Sequence, residues 1–152
     1  MRLTIIAAGR LGKGPERALY DDYAKRMKGS LALVEVAERR KLPPAELVRR
    51  EAALIRAATP KGAAVVALDR RGRALASEEL AARIARWADA GRDIAFLIGG
   101  ADGLEASLRE DADLVLSFGA ATWPHALVRV MLAEQLYRAR AILAGHPYHR
   151  AG

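Results

Sequence analysis

A chain of 152 residues, 52% hydrophobic and 28% charged, is long enough to bury a core without disulfides and too short for two ordinary domains, so one domain over 1–152 is expected. It contains no cysteine, which excludes disulfide frameworks and thiolate metal sites. With 25 Lys and Arg against 18 Asp and Glu it carries +7, a balance that favours polyanionic partners, nucleic acid first, although no Lys/Arg block is long enough to act as a basic tail.

The apolar run at residues 3–8 predicts a buried first strand ending at Gly9; it is too short for a signal-peptide core, and no later run reaches membrane-spanning length. A cytoplasmic protein with no membrane partner is expected. Pro15 opens a helix with Leu19, Tyr20, Tyr23 and Met27 at near-helical spacing, stopped by Gly29 and Ser30. Residues 31–36 read as a second strand, and the charged stretch 38–41 as a solvated loop that also suits phosphate. A second helix begins at Pro44 and ends before Thr59 and Pro60; residues 63–68 form the third strand. Ser77, followed by Glu78 and Glu79, reads as the cap of a third helix. Residues 94–98 make the fourth strand, Asp102 with Glu105 resembles a capping box before a short helix, and 114–116 is the shortest strand. A long final helix begins near Pro124 and ends before Gly145.

Strands alternating with helices predict an α/β fold, a parallel sheet covered by helices on both faces. Ligands in such sheets bind beyond the carboxyl ends of the strands, here marked by Leu68 with Asp69, Gly99 with Gly100, and residues 118–122. Three adjacent strand ends are expected to form one pocket.

Two phosphate-loop signatures fail. Gly9 and Gly12 are separated by two residues where a P-loop needs four, and Arg17 stands where a dinucleotide fingerprint needs its third glycine. The pair Gly99, Gly100 allows close backbone approach to a ligand, and a tight turn explains it as well. His125 and Arg129 lie four apart on the final helix; Glu134 and Arg138, also four apart, read as a surface ion pair. That helix is apolar on more than one face, as a subunit interface requires. His146 and His149 leave only His125 as a third imidazole, so no metal is expected. The end of the chain, His146, Pro147, Tyr148, His149, Arg150, is either a frayed tail or one docked on the fold.

Taken together, Leu68 with Asp69, the segment Leu97, Ile98, Gly99, Gly100 with Gly103, the run Thr122, Pro124, His125, Leu127, Val128, Arg129, and the terminal His146, Pro147, Tyr148, His149, Arg150 resemble the ribosomal RNA large subunit methyltransferase H family of the SPOUT superfamily. The resemblance covers essentially the whole chain. It implies a deep trefoil knot near the C-terminus, which connection rules alone would not suggest. It implies methylation of N3 of a pseudouridine in 23S ribosomal RNA on the assembled ribosome, with S-adenosylmethionine as donor, by a homodimer whose final helix packs at the interface. It further implies that Leu68, Gly99, Gly100, Gly119, Ala120, Ala121, Thr122, Trp123 and Pro124 hold the cofactor, largely through backbone and apolar walls. In such a site His149 or His125 assists deprotonation, Tyr148 positions the base, and Arg129, Arg150 or a protonated histidine stabilises the anion. Arg39, Arg40, Arg49 and Arg50 either clamp phosphates or form a solvated face. The alternative is a non-catalytic ribosome or RNA-binding factor that keeps the pocket.

Overall fold

The computed structural model describes residues 1–150. Five strands, β1 (Leu3–Ala8), β2 (Leu31–Val36), β3 (Ala64–Arg73), β4 (Ile94–Ile98) and β5 (Leu114–Leu116), form one sheet in the order β2-β1-β4-β3-β5, with every pairing parallel. The expected α/β class is found. β1 and β4 are buried along their whole length, which explains why their sequences lack alternation: both faces are covered.

Five helices do the covering: α1 (Pro15–Arg26), α2 (Pro44–Ala58), α3 (Ser77–Asp89), α4 (Ala106–Glu110) and α5 (His125–Leu143). On one face Tyr20 and Met27, Leu80 and Ile84 from α3, and Leu132 and Leu136 from α5 pack on Ile5, Val66 and Phe96. On the other, Ala52 and Ile55 from α2 and Leu104 and Leu108 pack on Ile6, Ala67 and Leu97. Period-two alternation along each strand thus sends neighbouring residues to two different cores.

Two caps differ from the sequence reading. Helix α3 begins one residue earlier than a Ser77 cap requires: Ala76 is the capping position, and only half of a capping box is present, Glu79 Oε1 accepting the Ala76 N–H at 2.9 Å. The Ser77 hydroxyl instead donates to Gln135 Oε1 of α5 at 2.7 Å. Helix α4 is capped at Glu105 rather than Asp102, because Asp102 still lies in the turn closed by the Gly103 N–H to Gly100 O bond.

Strand β3 also runs five residues past its expected end at Leu68. Leu68 pairs with Leu116, and Arg73 pairs with the same Leu116, so residues 69–72 arch away from the sheet between them. The arch lies against the fifth strand. Ser117 Oγ donates to Arg70 O at 3.1 Å, Ser117 N–H donates to Arg73 O at 2.9 Å, and a Cβ on Gly72 would stand 2.5 Å from Val115 O. Only glycine fits there. A chain passing closely under this arch is consistent with the knotted topology that the resemblance implies. No helix among the described residues is long and apolar enough to cross a membrane.

Candidate active site

Because the strands are parallel, the carboxyl ends of β3, β4 and β5 open side by side on one edge, and a cavity of about 400 Å³ lies there. Its apolar wall includes Ile98, Leu104, Leu116, Phe118 and Val128. Of the residues expected to hold a cofactor, Leu68, Gly99, Gly100, Gly119, Ala121, Thr122 and Trp123 line it; Ala120 and Pro124 belong to the same loop without facing the cavity. His125, the first residue of α5, stands at the wall.

The turn at Gly99 is shaped by its own packing. A Cβ there would lie 2.5 Å from Gly103 C and 2.7 Å from Leu104 N, so the turn reading accounts for this glycine without a ligand. At Gly100 the neighbour is different: the Glu51 carboxylate of α2 would stand 3.2 Å from an added Cβ. Burial, and then the nearby Asp102, push the Glu51 carboxyl above its ordinary range.

The segment 69–71 contributes a second rigid wall. Asp69 accepts the Arg71 N–H at 2.8 Å and Arg71 Nε at 3.1 Å, and Arg109 Nη1 lies 3.7 Å away. Arg109 also donates to Leu104 O at 2.7 Å, tying the β3 and β4 ends together. The sequence reading named Asp69 at the strand end but missed Arg109; nothing in its position on a five-residue helix marks it.

Arg129 requires a correction. Read as a stabiliser of charge at the reacting centre, it is instead 0% exposed and does not line the cavity. Its Nη1 donates to Glu35 Oε2 at 2.6 Å, and its Nη2 donates to Ala8 O at 3.0 Å and Gly9 O at 3.1 Å. Burial draws its pKa down and Glu35 opposes the shift. An arginine among apolar residues on a helix spaced for burial signals an internal clamp, provided a distant carboxylate is close in space.

The C-terminal tail is docked, which decides between the two readings of it. Tyr148 Oη donates to Glu134 Oε1 at 3.1 Å, and its ring meets Tyr137 edge-on at 4.7 Å and lies under Arg138 at 4.9 Å. Burial, followed by Tyr23 and Glu134, raises the phenol pKa, so Tyr148 stays neutral at physiological pH. His149 Nε2 lies 2.6 Å from Glu78 Oε1, and its Nδ1 lies 3.1 Å from Arg138 Nη1. A guanidinium only donates, so Nδ1 accepts and Nε2 carries the hydrogen given to Glu78. In this seat His149 has no free lone pair with which to take a proton. Tyr148, His149 and the exposed Arg150 do not line the cavity of their own chain. Glu134 and Arg138 form the expected ion pair at 2.7 Å. Among the described residues no group of three metal-ligating side chains is assembled.

The family described as "Predicted SPOUT methyltransferase" matches residues 1–149. The chain belongs to the SPOUT methyltransferase family. Within it, the chain is 56% identical over 152 residues to a ribosomal RNA large subunit methyltransferase H from Rhodospirillum centenum, covering 99% of this chain and 100% of that one. A protein of the same description from Paramagnetospirillum magneticum is 54% identical, covering 99% of each chain. A similar fold is seen in a probable methyltransferase from Bordetella pertussis, with 21% identity, a TM-score of 0.58 and coverage of 91% and 95% of the two chains. A tRNA (m1G37) methyltransferase from Aquifex aeolicus gives a TM-score of 0.55 at 13% identity, covering 100% of this chain and 76% of its own. In this SPOUT chain the cavity-lining loop 118–123 runs directly into α5, whose first turn carries His125.

Proposed function

We propose that this protein transfers the methyl group of S-adenosylmethionine to N3 of a pseudouridine in 23S ribosomal RNA presented by the assembled ribosome. The observation that carries the reading is the full-length identity with relatives described as ribosomal RNA large subunit methyltransferase H.

The cavity suits the cofactor. Its volume lies in the range of small-ligand sites, its apolar wall suits an adenine ring, and backbone groups at Gly99, Gly100 and residues 119–123 suit the ring's polar edge. Asp69 is already neutralised by Arg71 and Arg109, whereas the exposed Asp102 at the rim complements a positively charged ligand. S-adenosylmethionine, when bound, supplies an electrophilic methyl carbon on a sulfonium. The residues of the chain then align the acceptor and accept its proton: N3 of pseudouridine is an imide nitrogen that attacks once deprotonated.

His125 stands at the cavity wall with its ring uncommitted to any described hydrogen bond, and His149 is the second candidate base. For His149 to act, its ring must leave Arg138 and Glu78, which frees Nδ1. The protein works as a homodimer, and the tail of one protomer reaches the cavity of the other, with Tyr148 positioning the base and Arg150 offsetting the imide charge. An apolar groove between α1, α3 and α5, lined by Leu19, Tyr23, Leu75, Val130 and Met131, supports that assembly, as does Leu127 exposed on the same helix.

Transfer of labelled methyl to ribosomes lacking the mark, followed by nucleoside mass spectrometry, tests the reading. N3-methylpseudouridine is the expected product. Cofactor binding without incorporation points to another RNA acceptor, and neither binding nor incorporation points to a non-catalytic RNA-binding factor.

A further inference from the structure

The cavity uses the ends of β3, β4 and β5, but the sheet is parallel throughout, so the loops after β1 and β2 open on the same edge. Unpaired cations collect there. Arg10 and Lys13 follow β1, Arg39 and Lys41 follow β2, Arg70 sits in the arch of β3 and Arg73 directly after it; all six are exposed, and none joins an ion pair among the described residues. Arg40 and Arg71 on this edge are taken up by Glu38 and Asp69. The acids of this edge without an ion-pair partner are Glu16 and Glu46, in the first turns of α1 and α2, and Glu51, Asp102 and Glu105. On the opposite edge Arg92 pairs with Asp113 at 3.5 Å and Arg56 with Asp111 at 3.0 Å, and Lys28 and Lys61 lie away from the cavity.

The loop after β1 is also built into a fixed position. Gly9 N–H donates to Val36 O at 2.7 Å, Leu11 N–H donates to Glu35 Oε2 at 2.5 Å, and Arg129 holds the carbonyls of Ala8 and Gly9. Glu35 thus serves Arg129 and Leu11 with one oxygen, and Arg129 lies one helical turn from His125 at the cavity. Arg10 and Lys13 are held at a set offset from the reacting centre. Neighbouring strands lie about 4.8 Å apart, so the loops after β1 and β2 sit about 5 and 10 Å beyond the β4 wall.

We propose that residues 9–13 and 39–41 form a phosphate-binding shelf that grips RNA backbone beside the nucleotide in the cavity. The inference rests on the reading of the protein as an RNA methyltransferase. A shelf of this kind positions the acceptor without reading its sequence, since phosphate contacts set register and orientation.

The test uses the full-length protein and ribosomes lacking the mark. Arg10→Gln with Lys13→Gln, and Arg39→Gln with Lys41→Gln, are compared with Lys28→Gln plus Lys61→Gln on the opposite edge. KM for ribosomes is measured across a salt series, and S-adenosylmethionine affinity by calorimetry. Each shelf pair is expected to raise KM, most at low salt, and to reduce the slope of log KM against log salt by about one per charge removed, with cofactor affinity retained. The control pair is expected to change none of these. Shelf variants with wild-type KM and salt slope, or a control pair with the same loss, would overturn the shelf while leaving the methyltransferase reading intact. Wild-type protein that transfers no methyl to ribosomes would remove both.

Discussion

Arg129 Nη1 and Glu35 Oε2 meet at 2.6 Å, joining helix α5 to strand β2 across 94 positions of sequence. Glu35 keeps 23% of its side chain exposed while Arg129 has none, so the two partners are not equivalent. Removing Glu35 leaves a buried guanidinium without its counter-charge. Glu35→Gln is expected to destabilise the fold by about 3 kcal/mol, the low end for breaking a buried pair because Glu35 is partly solvated. Urea unfolding measures it, and a loss under about 1 kcal/mol would mean that the backbone carbonyls of Ala8 and Gly9 suffice to hold the arginine.

Gly99→Ala places a methyl against the backbone of Gly103 and Leu104, where no side chain can yield. The turn must shift, at a cost of about 1–3 kcal/mol, and it forms the wall of the cavity. Cofactor affinity is expected to fall with stability. Calorimetric titration showing wild-type affinity would indicate that the turn relaxes away from the cavity.

The raised Glu51 carboxyl gives a pH dependence of definite sign. The folded protein keeps the Glu51 proton to higher pH than the unfolded chain does, so this group lowers stability as pH rises from 4.5 through its raised folded value. Glu51→Gln removes that loss. The variant is expected to unfold at higher urea than wild type near neutral pH and to converge with it near about pH 4. A variant less stable at neutral pH would show that the carboxylate makes a favourable contact outweighing its burial.

His149→Ala is expected to lower methyl transfer by about 10²-fold, the smaller end for loss of a general base. Cofactor affinity should stay the same, since in the proposed assembly the tail meets the acceptor base and the cofactor is held by the strand-end loops. Tyr148→Phe keeps the ring contacts with Tyr137 and Arg138 and gives up the hydroxyl's bond to Glu134, so its loss is expected to be smaller. Single-turnover rates that are unchanged for both variants would exclude the tail from the chemistry.

Leu19 and Leu127, 47% and 38% exposed, test the assembly. The wild type is expected to sediment as the proposed dimer and Leu19→Glu and Leu127→Glu as monomers at the same concentration, with methyl transfer falling in parallel. Full activity from a monomeric variant would place the whole site within one chain.

The layered architecture was readable because β1 and β4 are unbroken apolar runs and the helices are punctuated by Pro15, Pro44 and Gly145. The strand-end pocket followed from parallel topology alone. Where reading failed, a tertiary contact had displaced a local preference. Ser77 is a good capping residue, but its hydroxyl is drawn to Gln135, 58 residues away. The arch at 69–72 carries Asp69, Arg70, Arg71 and Gly72, which locally signal the end of a strand, and only the pairing of Arg73 with Leu116 restores it. Arg129 has the spacing of a site residue beside His125, and one helical turn separates a cavity wall from the core. Its fate depends on Glu35, which no periodicity connects to it.

The walls of the cavity come from residues 68–71, 98–104 and 116–128, so a growing chain has no site until it has been made past Val128. Helix α5, whose Leu132 and Leu136 cover one face of the sheet, is synthesised after every other described element. Until it arrives, Ile5, Val66 and Phe96 lack part of their cover, and the nascent chain presents that apolar strip to whatever is nearby. Cofactor binding and burial of the last face therefore come within reach at the same stage of synthesis, and a partly made copy cannot compete with finished enzyme for S-adenosylmethionine.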